Sequence, residues 1–320
     1  MDEQSALLRP GFSRGYSVAI LSAAVLSTTA IFIRYLTETF LIPPLVLAFW
    51  RDVFVVLTLL ICLGALRPGL IRVKQHHLSF LILYGLMLAI FNALWTLSVA
   101  ENGASIATVL VYSSAAFTAV LGWRLLGEKL SWMKFLAVGL TITGCALVAG
   151  ALDQMNIRLN LLGVLVGILS GLWYAIYSLM GRTAAMRGLN PWTTLLYTFG
   201  FAAFFLIGIN ILPVPQVPGT ASQLDDLLWL ADAWSGWFVL ILLAAGPTVA
   251  GFGLYNVSLS LLPSSVANLI MTLEPVFTTA IAYILLGERL LNTQIIGSLL
   301  IMVGVLALRA CGDDRDRQIG

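Results

Sequence analysis

Apolar residues run along this chain in ten blocks of about twenty, at roughly 16–36, 44–65, 78–98, 104–125, 132–151, 160–181, 191–212, 237–258, 264–286 and 292–309. Charged or proline-rich breaks separate them. Each block is close to the ~20 residues with which an α-helix crosses about 30 Å of hydrocarbon. None alternates apolar and polar positions as the strands of an outer-membrane barrel do. The pattern predicts an all-α polytopic membrane protein with ten transmembrane helices. The first block is too long for the apolar region of a cleavable signal and lacks a small-residue cleavage site, so it is expected to remain as the first span.

A second pattern lies over the first. Leu125-Leu126-Gly127-Glu128-Lys129-Leu130 recurs 160 residues later as Leu285-Leu286-Gly287-Glu288-Arg289-Leu290. The same offset pairs Ser105 with Ser265, Ala107 with Ala267, Phe117-Thr118 with Phe277-Thr278, and Gly144 with Gly304. At an offset of 148, Ile20-Leu21-Ser22 matches Ile168-Leu169-Ser170, Arg34 matches Arg182, and Pro43 matches Pro191. The acidic loop 213–236, with Pro213, Pro215 and Pro218, absorbs the difference as an insertion. Residues 16–151 and 160–309 therefore read as two copies of a five-helix unit. Because five is odd, the second copy enters the bilayer from the opposite side, and the halves form an inverted repeat.

Composition confirms the solvent. Of 320 residues, 60% are hydrophobic and 10% charged, with a mean hydropathy of +0.97; a soluble domain carries about 25% charge. The loops are too short for a catalytic or nucleic-acid-binding domain, and a net charge of +2 calls for no polyanionic partner. The expected partners are the lipid bilayer and a small-molecule substrate, with no nucleic acid; a monomer and an oligomer both fit. Thirteen Lys and Arg fall on the side of the termini against three (Arg34, Arg158, Arg289) on the other. That bias places the tails 1–15 and 310–320 in the cytoplasm, in an inner-membrane protein. In the acidic loop, 224–234 reads as a short amphipathic helix resting on the outer interface, with Trp229, Trp234 and Trp237 as anchors.

Cys62, Cys145 and Cys311 are scattered, and His76 and His77 share one short basic loop, so no metal site and no cofactor is expected. No Ser/His pair or HExxH motif supplies a catalytic residue. The chemistry rests instead on intramembrane polar groups. Arg51, Asp52 and Glu274 are ionisable at depth, where each costs roughly 2.5–3.5 kcal/mol on insertion scales. Arg51 and Asp52 point about 100° apart on a helix, so they need not pair with each other. Two roles fit Glu274: a proton or substrate-amine site that couples transport, or a hydrogen bond to a neighbouring helix or to Arg51. Glu128 and Glu288, at span ends, fit capping or salt bridging with Arg124, Lys129 or Arg289. Tyr84, Asn92 and Trp95 form one stripe on the third span. Tyr112 marks the fourth, Trp173 and Tyr177 the sixth, Asn256 the eighth and Asn268 the ninth. These eight residues are expected to line a central, nearly uncharged cavity, with packing as the other role for the aromatics. Pro247 and Pro275 are candidate hinges, and Gly163, Gly167 and Gly171 a face for close helix packing.

Paired five-helix halves, each carrying Leu-Gly-Glu-Lys/Arg-Leu after its fourth span, with Glu274-Pro275 inside the ninth, resemble the EamA-type branch of the drug/metabolite transporter superfamily. The resemblance covers about 16–309 and implies a transporter rather than an enzyme. The first half departs from it in symmetry, with Ser114-Ala115 where the second has Glu274-Pro275. Within the superfamily the chain is similar to bacterial aromatic amino acid exporters of the YddG type. That similarity implies export of small neutral or zwitterionic metabolites, chiefly aromatic and other hydrophobic amino acids, by alternating access. Carriage of other drug-like or amine metabolites, or a channel-like facilitator, is the competing reading.

Overall fold

The computed structural model describes residues 10–102, 107, 110–148, 161–211, 219–221, 223–286 and 292–317. Among these residues every regular element is helical. The helices are α1 (Pro10–Leu26), α2 (Thr29–Phe40), α3 (Pro44–Leu66), α4 (Leu78–Asn102), α5 (Ser114–Leu126), α6 (Trp132–Val148) and α7 (Leu161–Met186). They continue as α8 (Pro191–Ile211), α9 (Trp234–Leu243), α10 (Val249–Leu261), α11 (Ser264–Met271), α12 (Glu274–Leu286) and α13 (Asn292–Arg317). Among the described residues, six helical stretches are long and apolar enough to cross a membrane: 13–40, 44–66, 75–98, 161–186, 191–211 and 234–261. Shorter apolar helices occupy 114–126, 132–148 and 292–307. The protein is thus a multi-pass helical membrane protein. Proline opens α1, α3 and α8 in the first turn, where its missing N–H costs nothing. Helix α1 therefore begins inside the expected tail, and α13 runs on to Arg317 through the other.

Three expected spans are broken near their middles, and a back-bonded hydroxyl stands at each break. At Ser27-Thr28 the hydroxyls donate back to the carbonyls of Ala24 and Val25, at 2.6 and 2.8 Å. Ser113 Oγ donates to the Leu110 carbonyl at 2.6 Å, and Thr272 Oγ1 to that of Leu269 at 2.6 Å. The amide of Thr28, Ser113 and Thr272 likewise bonds three residues back rather than four. The same back-bond at Thr141, Ser170 and Ser258 leaves their helices continuous, so at the breaks the hydroxyl caps a carbonyl of the tightened turn and does not by itself break the helix. A fourth irregularity is the π turn Ala244–Thr248 around Pro247. There Thr248 Oγ1 donates to the Leu243 carbonyl at 2.8 Å, which Pro247, lacking an N–H, cannot reach.

Packing joins the first part of the chain to the second. Helix α4 lies on α7, α1 on α10, α3 on α8 and α6 on α13. Helix α11 contacts both α1 and α5. Small residues set the closest crossings, as expected for helices in lipid. A Cβ at Gly167 would stand 2.6 Å from Ser98 Oγ, and one at Gly171 2.4 Å from Ser113 Oγ, so these two glycines form a packing face. Ser98 Oγ also donates to the Gly163 carbonyl at 2.9 Å. Across α6 and α13, a Cβ on Gly144 would meet the Gly297 carbonyl at 2.6 Å.

The acidic loop is tied down by indoles. Its expected amphipathic helix is a shorter 3-10 turn, Leu224–Leu228, closed by a capping box between Gln223 and Asp226. Trp50 Nε1 donates to the Leu227 carbonyl at 2.6 Å, Trp229 Nε1 to that of Phe40 at 2.9 Å, and Trp237 Nε1 to that of Ala231 at 3.1 Å. Trp234 is 79% exposed and remains a plain interface anchor.

The α6–α13 crossing gives a direct test. Gly297→Val places a branched side chain against the Gly144 carbonyl, and overpacking of this kind costs about 1–3 kcal/mol. A lowered midpoint of thermal unfolding in detergent is expected, and an unchanged midpoint would contradict the crossing.

Candidate functional site

The second and third breaks meet, and the first lies a turn further along the helix that follows the third. Thr278 Oγ1 of α12 donates to the Ser27 carbonyl at 3.2 Å, linking the first break to the helix that follows the third. At the second break, Tyr112 Oη donates to Glu274 Oε2 at 2.9 Å, just past the third. Glu274 opens α12, so Pro275 sits in a first helical turn rather than kinking a continuous helix. Tyr112 is 3% exposed, so the carboxylate's partner is withdrawn from the lipid. Glu274 takes Tyr112, not Arg51, as its hydrogen-bond partner.

Arg51 instead pairs with Asp52. Its Nε and Nη2 reach Asp52 Oδ1 at 3.2 and 3.1 Å, because a long guanidinium stem can bridge the 100° between neighbours on a helix. Asn92 Nδ2 donates to the other carboxylate oxygen at 3.3 Å. Both charged residues are buried, Arg51 to 6% and Asp52 to 0% exposure. The pair joins α3 to α4 and satisfies the charge that the sequence leaves open.

One helical turn into α11, Asn268 is the centre of a second polar network. Ser114 Oγ donates to Asn268 Oδ1 at 3.0 Å, and Asn268 Nδ2 donates to Ser178 Oγ at 3.1 Å. Ser178 Oγ and Tyr255 Oη lie 2.7 Å apart. Four helices (α5, α7, α10 and α11) are knitted together by hydroxyls and one carboxamide. Around it stands a column of rings: Tyr84 to Tyr177 at 4.8 Å, Phe91 to Tyr174 at 5.0 Å, and Tyr174 to Tyr255 at 6.0 Å.

Beside that column Trp173 Nε1 is buried without a hydrogen-bond partner among the described residues. The Tyr84 and Tyr177 hydroxyls and the Asn256 amide are buried with only one another for polar partners. A Cβ on Gly181 would lie 2.8 Å from Tyr84 Oη and 3.5 Å from Asn256 Oδ1, so the glycine keeps this polar corner open. Each unmet buried donor or acceptor costs about 1–3 kcal/mol. Such a cost is sustained where a ligand or water completes the bonds.

Of the expected cavity residues, Tyr112, Asn92 and Asn268 are thus drawn into networks, while Tyr84, Tyr177 and Asn256 share a corner. Trp173 and Trp95 are partly buried, and Trp95 packs on the core. Instead of lining an open hollow, the side chains are packed inward. A groove of about 510 Å³ does exist, but it lies on the lipid-facing side, lined by Leu60, Ile82, Tyr197 and Phe204 among others. Sequence reading passed over Ser114, Tyr174, Ser178 and Tyr255. The available signal was Tyr174, Tyr177 and Ser178 at helical spacing, one face of α7. Glu288 and Arg289 lie outside the described residues.

With the fold and site in view, the chain matches the EamA-like transporter family twice, over residues 13–150 and 161–310, and it belongs to that family. It is similar to an uncharacterized transporter, sll1319, of Synechocystis: 29% identical, covering 70% of this chain and 64% of the relative. The threonine/homoserine exporter RhtA of Salmonella typhimurium is 26% identical over 74% of this chain and 73% of its own length. A probable amino-acid metabolite efflux pump of Escherichia coli is 24% identical over 82% of this chain and 84% of its own length. A solved crystal structure superposes with a TM-score of 0.72 at 16% identity, covering 92% of this chain and 97% of that one, and so shares the fold.

Breaking the α3 ion pair tests its role in the fold. Asp52→Leu strands a buried guanidinium and is expected to cost about 3–5 kcal/mol, whereas Arg51→Met with Asp52→Leu, which removes both charges, is expected to recover most of it. Thermal unfolding of the two variants checks this. A double variant no more stable than the single would contradict it.

Proposed function

We propose that this protein is an inner-membrane exporter of small neutral or zwitterionic metabolites, chiefly aromatic and other hydrophobic amino acids, working by alternating access. Its frame in this reading is ten crossings in two inverted five-helix halves, with both termini in the cytoplasm. The observation that carries the proposal is the meeting of broken helices around Glu274 and Tyr112. Discontinuous helices at mid-depth are where secondary transporters bind their cargo.

Two features support the inverted frame. The breaks at Tyr112-Ser113 and Thr272-Leu273 lie 160 residues apart, the offset of the sequence repeat. The packing pairs also exchange when the halves are exchanged: α4 on α7 becomes α10 on α1, while α3 on α8 and α6 on α13 map onto themselves. The Lys and Arg bias supports the orientation.

The chemistry supports an amino acid as cargo. Glu274 offers a carboxylate to an ammonium group, which would take the place of the Tyr112 hydroxyl. The hydroxyls of Tyr84 and Tyr177 and the Asn256 amide, whose polar partners are one another, offer donors to a carboxylate that enters among them. Ring faces between them suit an apolar or aromatic side chain. Phosphorylated cargo fits poorly, since Arg51 is already neutralised by Asp52. Two relatives bear names that refer to export of threonine and homoserine or of amino-acid metabolites, in keeping with this class.

Counterflow in proteoliposomes loaded with single amino acids tests the reading. Saturable, stereoselective exchange is expected, and its absence for every amino acid would overturn the proposal. Glu274→Gln is expected to lower exchange at least tenfold, and Trp173→Ala to raise KM for aromatic cargo about tenfold, a loss of one hydrogen bond or ring contact. Unchanged kinetics in both variants would remove the site as drawn.

A further inference from the structure

Helix α11 is eight residues long and every one of them is buried. A buried helix start leaves its first amides without water, and they must be satisfied by the protein. Here the partner comes from the other half of the chain. Glu128 Oε1 accepts from both the amide and the hydroxyl of Ser264, each at 2.6 Å. Glu128 Oε2 accepts from the amide of Ser265 at 3.2 Å and from its hydroxyl. Lys134 Nζ donates to Ser265 Oγ at 2.9 Å. On the opposite side of the same hairpin tip, Arg182 Nη1 donates to the carbonyls of Leu259 and Ser260 at 3.0 and 3.1 Å, at the end of α10. The tip between α10 and α11 is therefore gripped by an anion at a helix start and a cation at a helix end, each the favourable sign for the local dipole.

The Leu-Gly-Glu motif is shaped for this grip. Gly127 adopts φ +66°, which turns the chain back so that the Glu128 amide donates to the Gly122 carbonyl at 3.1 Å. The carboxylate then folds over Gly122, where a Cβ would stand 2.7 Å from Glu128 Oε2. Two glycines thus aim one side chain across the boundary between the halves.

We propose that the Glu128 carboxylate is the latch of the gate on its own face of the membrane, holding the Ser264-Ser265 tip of the second half while that face is closed and releasing it when the halves rock apart. The proposal rests on the alternating-access reading. Glu128 is only partly buried, so on release its charge is rehydrated rather than stranded. All four of its bonds cross between the halves, so a rocking motion breaks them together. Arg182 and the α10 end it holds both belong to the second half, and that contact is carried along intact.

The native Cys145, 1% exposed, reports opening, since it lies within the core on α6. In a Cys62→Ser, Cys311→Ser background, its modification by a charged, membrane-impermeant methanethiosulfonate is timed in vesicles of both orientations. The face is identified in the same vesicles by labelling Lys129→Cys. Glu128→Ala is expected to speed modification from the Glu128 face on the order of tenfold, as expected when a helix cap is lost. Ser264→Ala with Ser265→Ala, and Gly122→Leu, are expected to do the same with the carboxylate retained. An unchanged rate in these variants, or a gain from the opposite face, would overturn the latch. So would loss of the monodisperse folded peak in all of them, which would make Glu128 a staple of the fold. No cargo enters this experiment, and a wrong substrate class or orientation would leave its outcome intact.

Discussion

In hydrocarbon a polar group is satisfied by the protein or not at all, and this chain concentrates its polar groups where its helices are interrupted. Ser27-Thr28, Ser113 and Thr272 each turn a hydroxyl onto the backbone three residues earlier. The interruptions make the cost of unwinding small, because the freed carbonyls are capped locally. They also bring Glu274 and Tyr112 face to face. The other buried polar side chains form two further networks, an ion pair buttressed by Asn92 and the hydroxyls around Asn268.

Much of this architecture was legible in the pattern of residues. Block length and hydropathy place α3 and α8 nearly to the residue, because a long apolar run in lipid has no other stable form; α7 starts where its block does and runs five residues past it to Met186. The duplicated Leu-Gly-Glu motif marked the two family matches. The breaks are not legible from hydropathy, since Ser and Thr are only mildly polar and do not interrupt a run. Nor does hydroxyl position mark them, because Thr141, Ser170 and Ser258 make the same back-bond within continuous helices. The Arg51-Asp52 pair was missed because a rule about helix faces describes Cβ directions, whereas a guanidinium reaches well beyond them. The place of Glu128 at a span end predicts capping or salt bridging; it does cap a helix, but that helix starts 136 residues away and no local spacing points to it.

The site and the latch share α11. Its start is held by Glu128, its middle by the Asn268 network, and its end leads through the Thr272 turn to Glu274. A short rigid rod gripped at both ends transmits movement without bending, so a change at the Glu274 carboxylate and a change at the hairpin tip are mechanically joined. In the proposed reading cargo inserts among the Tyr84 and Tyr177 hydroxyls and the Asn256 amide. In this account binding energy from those donors is what favours one arrangement of the halves over another.

The account stands on the two halves being inverted with respect to each other. Single cysteines at Lys129 and at Arg289, the matching positions of the repeated motif, labelled with an impermeant reagent from each side of the membrane, test this most directly. The account predicts that the two positions label from opposite compartments; labelling of both from the same compartment would contradict it.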